Sequence, residues 1–303
     1  MRTIRLSKLQ ATGNDFLVWS WLHAHAGIAG IDAAQAAALC DRHRGVGADG
    51  LIVIKPGAEG ADAAMVLYNA DGSVAEMSGN GMRALAWVAA REGLGRNGTL
   101  TVDTGAGRRT VDLTFRPGTR EVLAATVDMG PVTFDPARIP LAAPSPFDLR
   151  ADYHGTHYEG DAAGMGNPHL VLFVDDPATA RVTQHGPHLE HDDRFPRCTN
   201  VEFVRATPGA TDELDMRVWE RGVGETLSCG TGACAVAAVA HRRGLVGERA
   251  VVHVPGGDLV VQLGETIHLG GPVVHVFDVE VELPEAQLPE TQLSGTPLPG
   301  IGA

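Results

Sequence analysis

Residues 2–8 (RTIRLSK) alternate apolar and polar side chains, the two-residue period of a half-buried strand. Residues 32–43 (DAAQAAALCDRH) read as a helix, with Asp32 placed to cap its first turn. The short apolar runs 51–55 (LIVIK) and 64–69 (AMVLYN) end in turn-forming residues and read as strands. A polar loop then leads into residues 82–93. Leu85, Val88 and Ala89 have helical spacing there, and Gly93 supplies a stop. Strands are expected again near 98–104, 109–115 and 122–128.

The stretch 129–146 is rich in proline and breaks the pattern, so a domain junction is expected at its start. Strands follow near 152–158 and 168–174, then a short helix after Asp176-Pro177. Further strands are expected near 199–205 and 213–220, with a long helix near 231–243. Residues 251–254, 259–263 and 273–279 complete the strand set. The Pro-rich, low-complexity segment 283–303 is expected to be a disordered tail. A chain of 303 residues exceeds what one core usually supports, so two domains are expected, 1–128 and 129–272.

Hydrophobic residues make up 44% of the chain, enough for ordinary globular cores. A net charge of −13 argues against nucleic acid or an anionic membrane as the main partner. No apolar run has the roughly 18 residues a membrane span needs. The start, MRTIRLSKLQATGNDF, lacks the features of a signal peptide. Cys40, Cys198, Cys229 and Cys234 have neither the spacing of a disulfide framework nor that of a zinc site. A cytoplasmic protein with reduced thiols is the expectation. The thirteen histidines, among them His23, His25, His185, His188 and His191, show no zinc-site spacing, so no metal is expected. Gly45-Val-Gly47-Ala-Asp-Gly50 fits G-x-G-x-x-G, but it follows a helix and opens a strand. A dinucleotide fingerprint needs the reverse order.

Two loops share a signature. Ser78-Gly79-Asn80-Gly81 precedes one Ala-rich helix, and Cys229-Gly230-Thr231-Gly232 precedes another about half the chain away. A duplicated unit would explain the pair, as would chance similarity of two Gly-rich helix starts. A helix N-terminus offers free N–H groups and partial positive charge, which suit a carboxylate and favour a thiolate. Two such termini facing each other could hold one carboxylate between them. A side chain on each loop would then flank the adjacent α-carbon, one removing a proton while the other delivers one to the far face. Thiols suit such two-base chemistry because their pKa can be tuned toward neutrality. The plainer alternatives are a buried structural thiol at Cys229 and a helix cap at Ser78.

The stretch from Asn69 to Arg83 (NADGSVAEMSGNGMR) resembles the first active-site signature of diaminopimelate epimerases, with Ser78 where that family has its first catalytic cysteine. Residues 220–234 (ERGVGETLSCGTGAC) resemble the second signature, with Cys229 as the second catalytic cysteine. Thr12-Gly-Asn14-Asp-Phe16, residues 42–50 (RHRGVGADG), Gly166-Asn167-Pro-His169 and the segment around Asn200 match further motifs in order. The resemblance implies an α+β fold of two pseudo-symmetric domains, each a barrel-like sheet around a central helix. The active site would lie in the cleft between them, and a C-terminal strand at 273–282 would return to the first domain. It implies that backbone N–H groups around Gly79, Asn80, Gly230 and Thr231 hold the reacting carboxylate, with Asn14 and Glu220 near the reacting amino group. Asn69, Asn167, Asn200 and Arg221 would hold the distal end of the substrate, diaminopimelate. It implies no pyridoxal phosphate, metal or nucleotide, and a homodimer. Plainer roles exist: a turn at Asn69, an ion pair of Glu220 with Arg221, backbone caps at Asn14 and Asn167. For His169 a shaping or hydrogen-bonding role is expected.

Ser78 leaves three readings. A hydroxyl is a far weaker acid than a thiol and needs a strong activating base, which the sequence does not show beside it. The chain is then an epimerase of LL-diaminopimelate with impaired turnover, a one-base isomerase or dehydratase working through Cys229, or a non-catalytic binder that keeps the pocket.

Overall fold

The computed structural model describes residues 3–23 and 30–283. The expected tail beyond residue 283, the start at residue 2 and His25 lie outside the described residues. The first half runs β1 (Thr3–Ala11), β2 (Asn14–Ser20), α1 (Ala33–Cys40), β3 (Gly50–Lys55), β4 (Ala63–Asn69), β5 (Val74–Ala75), α2 (Gly79–Arg91), β6 (Thr99–Thr104), β7 (Gly107–Phe115) and β8 (Val122–Asp128). The second half runs β9 (Leu149–Tyr153), β10 (Thr156–Gly164), β11 (Pro168–Phe173), α3 (Val182–Glu190), β12 (Asn200–Ala206), β13 (Glu213–Glu220), β14 (Gly224–Thr226), α4 (Gly230–Arg242), β15 (Arg249–Val254), β16 (Gly257–Gln262), β17 (His268–Pro272) and β18 (Val274–Glu282).

The pairings reveal a repeat. In the first half β1–β2 is antiparallel, β2–β3 parallel, β3–β4 antiparallel, β4–β6 parallel, and β6–β7–β8 antiparallel. The second half reproduces this as β10–β11, β11–β12, β12–β13, β13–β15 and β15–β16–β17. Each strand has its counterpart nine strands later. The parallel pairs need crossovers, and the four helices lie within them. The last strand of each set pairs with the first of a set: β9 with β10, and β18 with β1. The C-terminal strand thus closes the first half. Pairing of β8 with β17 makes the two halves one sheet system.

The inner and outer faces of these strands are covered differently. Ile52 and Ile54 of β3 join the core around α2, while Leu51 and Val53 join the core beneath α1. In β11 and β12, Val171 and Val204 face the α4 core, whereas Leu170, Leu172, Val201 and Phe203 pack with Val182 and Leu189 of α3. Helices α2 and α4 are buried on nearly every side, as helices enclosed by sheet must be, and their alanines allow close approach of the strands.

Several elements differ from the sequence expectation. Strand β2 is buried on both faces, so it lacks the alternation that marks a half-buried strand. Strands β5, β14 and β17 are short, and all three were unexpected. Helix α1 ends at Cys40 instead of 43, because the Asp41 carboxylate accepts the N–H groups of His43 and Arg44 and turns the chain. Helices α2 and α4 begin earlier than expected, at the glycines directly after Ser78 and Cys229.

Candidate active site

Ser78 and Cys229 have the same local role. Both are extended N-cap residues, with φ −142° and −126°. Ser78 Oγ accepts the N–H of Gly81 at 3.1 Å, and Cys229 Sγ accepts that of Gly232 at 3.4 Å. The N–H groups of Gly79 and Asn80, and of Gly230 and Thr231, have no acceptor within their own helices. The two starts meet. A methyl group on Gly79 would lie 2.8 Å from Leu269 Cδ2 of β17, and one on Gly230 2.9 Å from the same atom and 3.7 Å from Gly79 Cα. A side chain at either start would press on Leu269 Cδ2, which would have to move aside.

Buried polar groups lock the junction. Arg83 of α2 is fully buried and donates to Pro272 O at 2.9 Å, to Thr12 Oγ1 at 3.1 Å and to Asn80 Oδ1. Asn80 Nδ2 donates to Asn14 Oδ1 and, at 3.3 Å, to Ser228 Oγ, which also lies 2.9 Å from Thr12 Oγ1. The β1–β2 turn, the start of α2 and the loop before α4 are thereby joined. Burial pulls the Arg83 guanidinium down to about 10.

The other expected residues divide into groups. Glu220, at the end of β13, accepts from Thr226 Oγ1 and lies close enough to Cys229 for the two to shift one another's pKa. Asn167 lies 3.5 Å from Thr231 Oγ1 and 2.9 Å from His169 Nε2. Asn200 is buried and acts as a brace, donating to Pro168 O and accepting the N–H of Arg221. Arg221 is exposed and donates to Arg197 O. Asn69 is exposed and its side chain donates to Ser73 Oγ within its own turn; among the described residues no side-chain hydrogen bond ties it to the other expected site residues. Glu190, His191 and Cys198 bring three metal-capable atoms within 4.8 Å of one another. The Glu190 oxygens, however, accept from Trp219 Nε1 and Gly222 N, and His191 Nδ1 meets Pro187 O.

Burial pushes the Glu220 carboxyl above the usual range, against the hydrogen bond from Thr226 and the neighbouring Cys229 thiol. Burial, then the charges of Glu220 and Glu202, push the Cys229 thiol well above its ordinary value, although Thr231 and the Gly232 N–H act the other way. The tuning toward neutrality expected at a helix start is therefore outweighed here by desolvation and two nearby carboxylates.

The repeat shows how unequal the two sides are. Phe16 of β2 stands beside Gly50, and His169 of β11 beside Asn200 in the same register. Two residues on, Ile52 corresponds to Glu202. A methyl group on Gly81 would meet Ile52 Cδ1 at 3.4 Å, and one on Gly232 would meet Glu202 Oε1 at 2.7 Å. Asn69 ends β4 as Glu220 ends β13. So His169, Glu202 and Glu220 surround Cys229 where Phe16, Ile52 and Asn69 accompany Ser78. His169 and Glu202 are both fully buried and joined by a 2.7 Å bond. The sequence reading missed Glu202, Arg83, Thr12 and Ser228. A signal existed for Glu202: an acidic residue in the apolar run VEFV whose alternation faces it toward a helix.

Residues 6–134 and 162–276 match the sequence model of the diaminopimelate epimerase family. A diaminopimelate epimerase from Synechococcus elongatus is 39% identical over 287 residues, covering 93% of this chain and 99% of that one. One from Desulfovibrio desulfuricans is 38% identical over 291 residues, covering 91% and 98%. Among solved structures, a hydroxyproline epimerase from Agrobacterium vitis with bound trans-4-hydroxy-L-proline aligns over 92% of each chain with a TM-score of 0.67 and 16% identity. A predicted epimerase from Pseudomonas aeruginosa covers 92% of this chain and 99% of its own, with a TM-score of 0.66 and 20% identity. At these identities the structural likeness speaks for the fold alone.

Proposed function

Because this chain belongs to the diaminopimelate epimerase family, we propose that it interconverts LL- and meso-2,6-diaminopimelate by moving the α-proton, without a cofactor, in lysine biosynthesis. The observation that carries this reading is the apposition of the two helix starts at Gly79 and Gly230, one capped by Cys229 and the other by Ser78. The α-carboxylate sits between the N–H groups of Gly79, Asn80, Gly230 and Thr231, which lowers the cost of placing negative charge on the α-carbon. Cys229 passes its proton to Glu220, and the resulting thiolate takes the α-proton from one face. Ser78 gives its hydroxyl proton to the other face; solvent then reprotonates Ser78 and takes the proton held by Glu220, which restores the starting state. The Ser78 hydroxyl is a weak acid with no carboxylate hydrogen-bonded to it among the described residues, so this half-step limits inversion. Asn14 attends the amino group, and Asn69, Asn167, Asn200 and Arg221 attend the distal amino-acid end. The domains follow as 1–128 with 273–282, and 129–272. A cytoplasmic homodimer completes the reading. Among the described residues no helix is long and apolar enough to cross a membrane.

One observation favours a second reading. The titratable groups cluster behind Cys229, while Phe16 and Ile52 occupy the corresponding places behind Ser78. One-sided exchange through Cys229, without inversion, fits that asymmetry, as does elimination of a β-leaving group from another amino acid. Proton NMR of the protein with LL-diaminopimelate in D2O separates these. Loss of the α-proton signal together with the meso isomer supports epimerisation. Loss without inversion supports one-sided exchange. Persistence of the signal with binding intact rejects both for this substrate and leaves a binder.

A further inference from the structure

The fold has no need of a carboxylate at 202, since Ile52 fills the equivalent place in the first half, against Gly81. Glu202 is nevertheless fully buried, its Oε1 lies 2.7 Å from His169 Nδ1, and its Oε2 has no hydrogen-bond partner among the described residues. Burying a carboxylate there costs stability, and the bonds that leave it lead to the reactive sulfur. His169 Nε2 lies 2.9 Å from Asn167 Oδ1, Asn167 Nδ2 donates to Thr231 Oγ1 at 3.5 Å, and Thr231 Oγ1 lies 3.5 Å from Cys229 Sγ. Oδ1 can only accept, so Nε2 carries a hydrogen. Thr231 Oγ1 accepts from Asn167, so its own hydrogen is free to point at the sulfur.

We propose that Glu202 is a positioning residue for Cys229: through His169, Asn167 and Thr231 it fixes the direction of a hydrogen-bond chain whose last donor points at Sγ. A carboxylate that accepts from Nδ1 while Nε2 donates to Asn167 holds the ring as an imidazolium, and its polarisation passes along the linked hydrogen bonds. The charged and titratable groups facing Cys229 are Glu220 from β13, Glu202 from β12 and His169 from β11, with Arg83 behind Asn80 across the junction. The direct field of Glu202 opposes the thiolate, whereas the chain supports it, so the two effects of removing the charge have opposite signs.

The test is the pH dependence of Cys229 alkylation by iodoacetamide in the full chain, followed on the Cys229 peptide by mass spectrometry. Thr231→Val keeps the helix N–H and removes the last donor. Glu202→Gln keeps the shape and removes the charge. Thr231→Val should raise the midpoint by about 1–2 in pH, the size expected for one hydrogen bond to an ionised group. Glu202→Gln removes the opposing field together with the chain, so it should lower the midpoint less in the parent chain than in the Thr231→Val background, where only the field is left to lose. Equal shifts in the two backgrounds overturn the proposal. If Glu202→Gln does not fold, Asn167→Ala, at a half-buried loop position, interrupts the same chain and faces the same criterion. The role in turnover rests on the proposed epimerisation, where kcat should fall more than KM rises. Alkylation needs no substrate, so it judges the chain even if that activity is absent.

Discussion

Gly230 and Gly79 stand close enough across the junction of the two halves that a methyl group on the first would lie 3.7 Å from Cα of the second. Two helix starts are thereby held against one another, each with its cap residue beside it. That relationship has glycine on both sides, Leu269 beneath, and the Arg83–Asn80–Ser228 bonds around it.

Exchange and inversion are expected to separate in variants. Cys229→Ala should abolish α-proton exchange into D2O, and exchange that survives would remove Cys229 from its role as base. Ser78→Cys should speed formation of the meso isomer by about 100-fold or more, the usual worth of a matched acid or base. Equal rates of isomer formation in Ser78→Cys and the parent chain would show that position 78 does not limit inversion.

Glu220→Gln should lower kcat by about 10²–10⁴. Burial holds the Glu220 carboxyl above its usual range, so it takes up the Cys229 proton only once pH exceeds that raised value. Exchange should therefore rise with pH along an acid limb, and the limb should vanish in the variant. The linkage has the opposite sense for stability. The folded chain binds this proton more tightly than the unfolded one, so stability declines as pH rises from about 4 through the raised value. Glu220→Gln is consequently expected to melt slightly higher at pH 7 while losing activity, which thermal melts at pH 4 and 7 check.

The two helix glycines should answer differently to one methyl group. At Gly81 the added carbon meets Ser78 Cβ at 3.3 Å and Ile52 Cδ1 at 3.4 Å, a tight but adjustable fit. At Gly232 it meets Glu202 Oε1 at 2.7 Å, and that oxygen is held by His169. Gly81→Ala is expected to change Tm little, since Ala favours a helix by up to about 1 kcal/mol. Gly232→Ala should displace Glu202 and slow exchange at least tenfold. Equal activities in the two variants would contradict this.

Asp278 anchors the returning strand β18. It accepts from Arg91 at 2.6 and 3.1 Å, Ser7 at 2.7 Å, Arg5 at 2.9 Å, and pairs with His275 at 3.1 Å. Arg91 foremost, with Ser7, Arg5 and His275, holds its carboxyl far below the usual range despite partial burial. A lowered folded value gives stability that is present above the unfolded pKa near 4 and lost as pH falls through the folded value. Asp278→Asn should therefore cost about 1–2 kcal/mol at pH 7, with the difference from the parent chain shrinking below pH ~4. A gap in Tm that persists undiminished at pH 2 would refute the assignment.

Much of this protein was legible in the amino-acid order because the signals are local. Helical spacing of Leu85, Val88 and Ala89 marked the body of α2, apolar runs marked β3 and β4, and the paired motifs around Ser78 and Cys229 already suggested a duplication. Strands buried on both faces or only two or three residues long, such as β2, β5 and β14, escaped because neither alternation nor length distinguishes them. What only the tertiary structure decided is the inequality of the two halves. Which side chain stands behind each cap depends on strand register across parallel pairs far apart in sequence, and register has no local signature. It set His169 and Glu202 against Cys229, and Phe16 and Ile52 in the matching places behind Ser78. It also buried Arg83 where two halves meet, and raised the thiol through desolvation that no stretch of sequence could reveal.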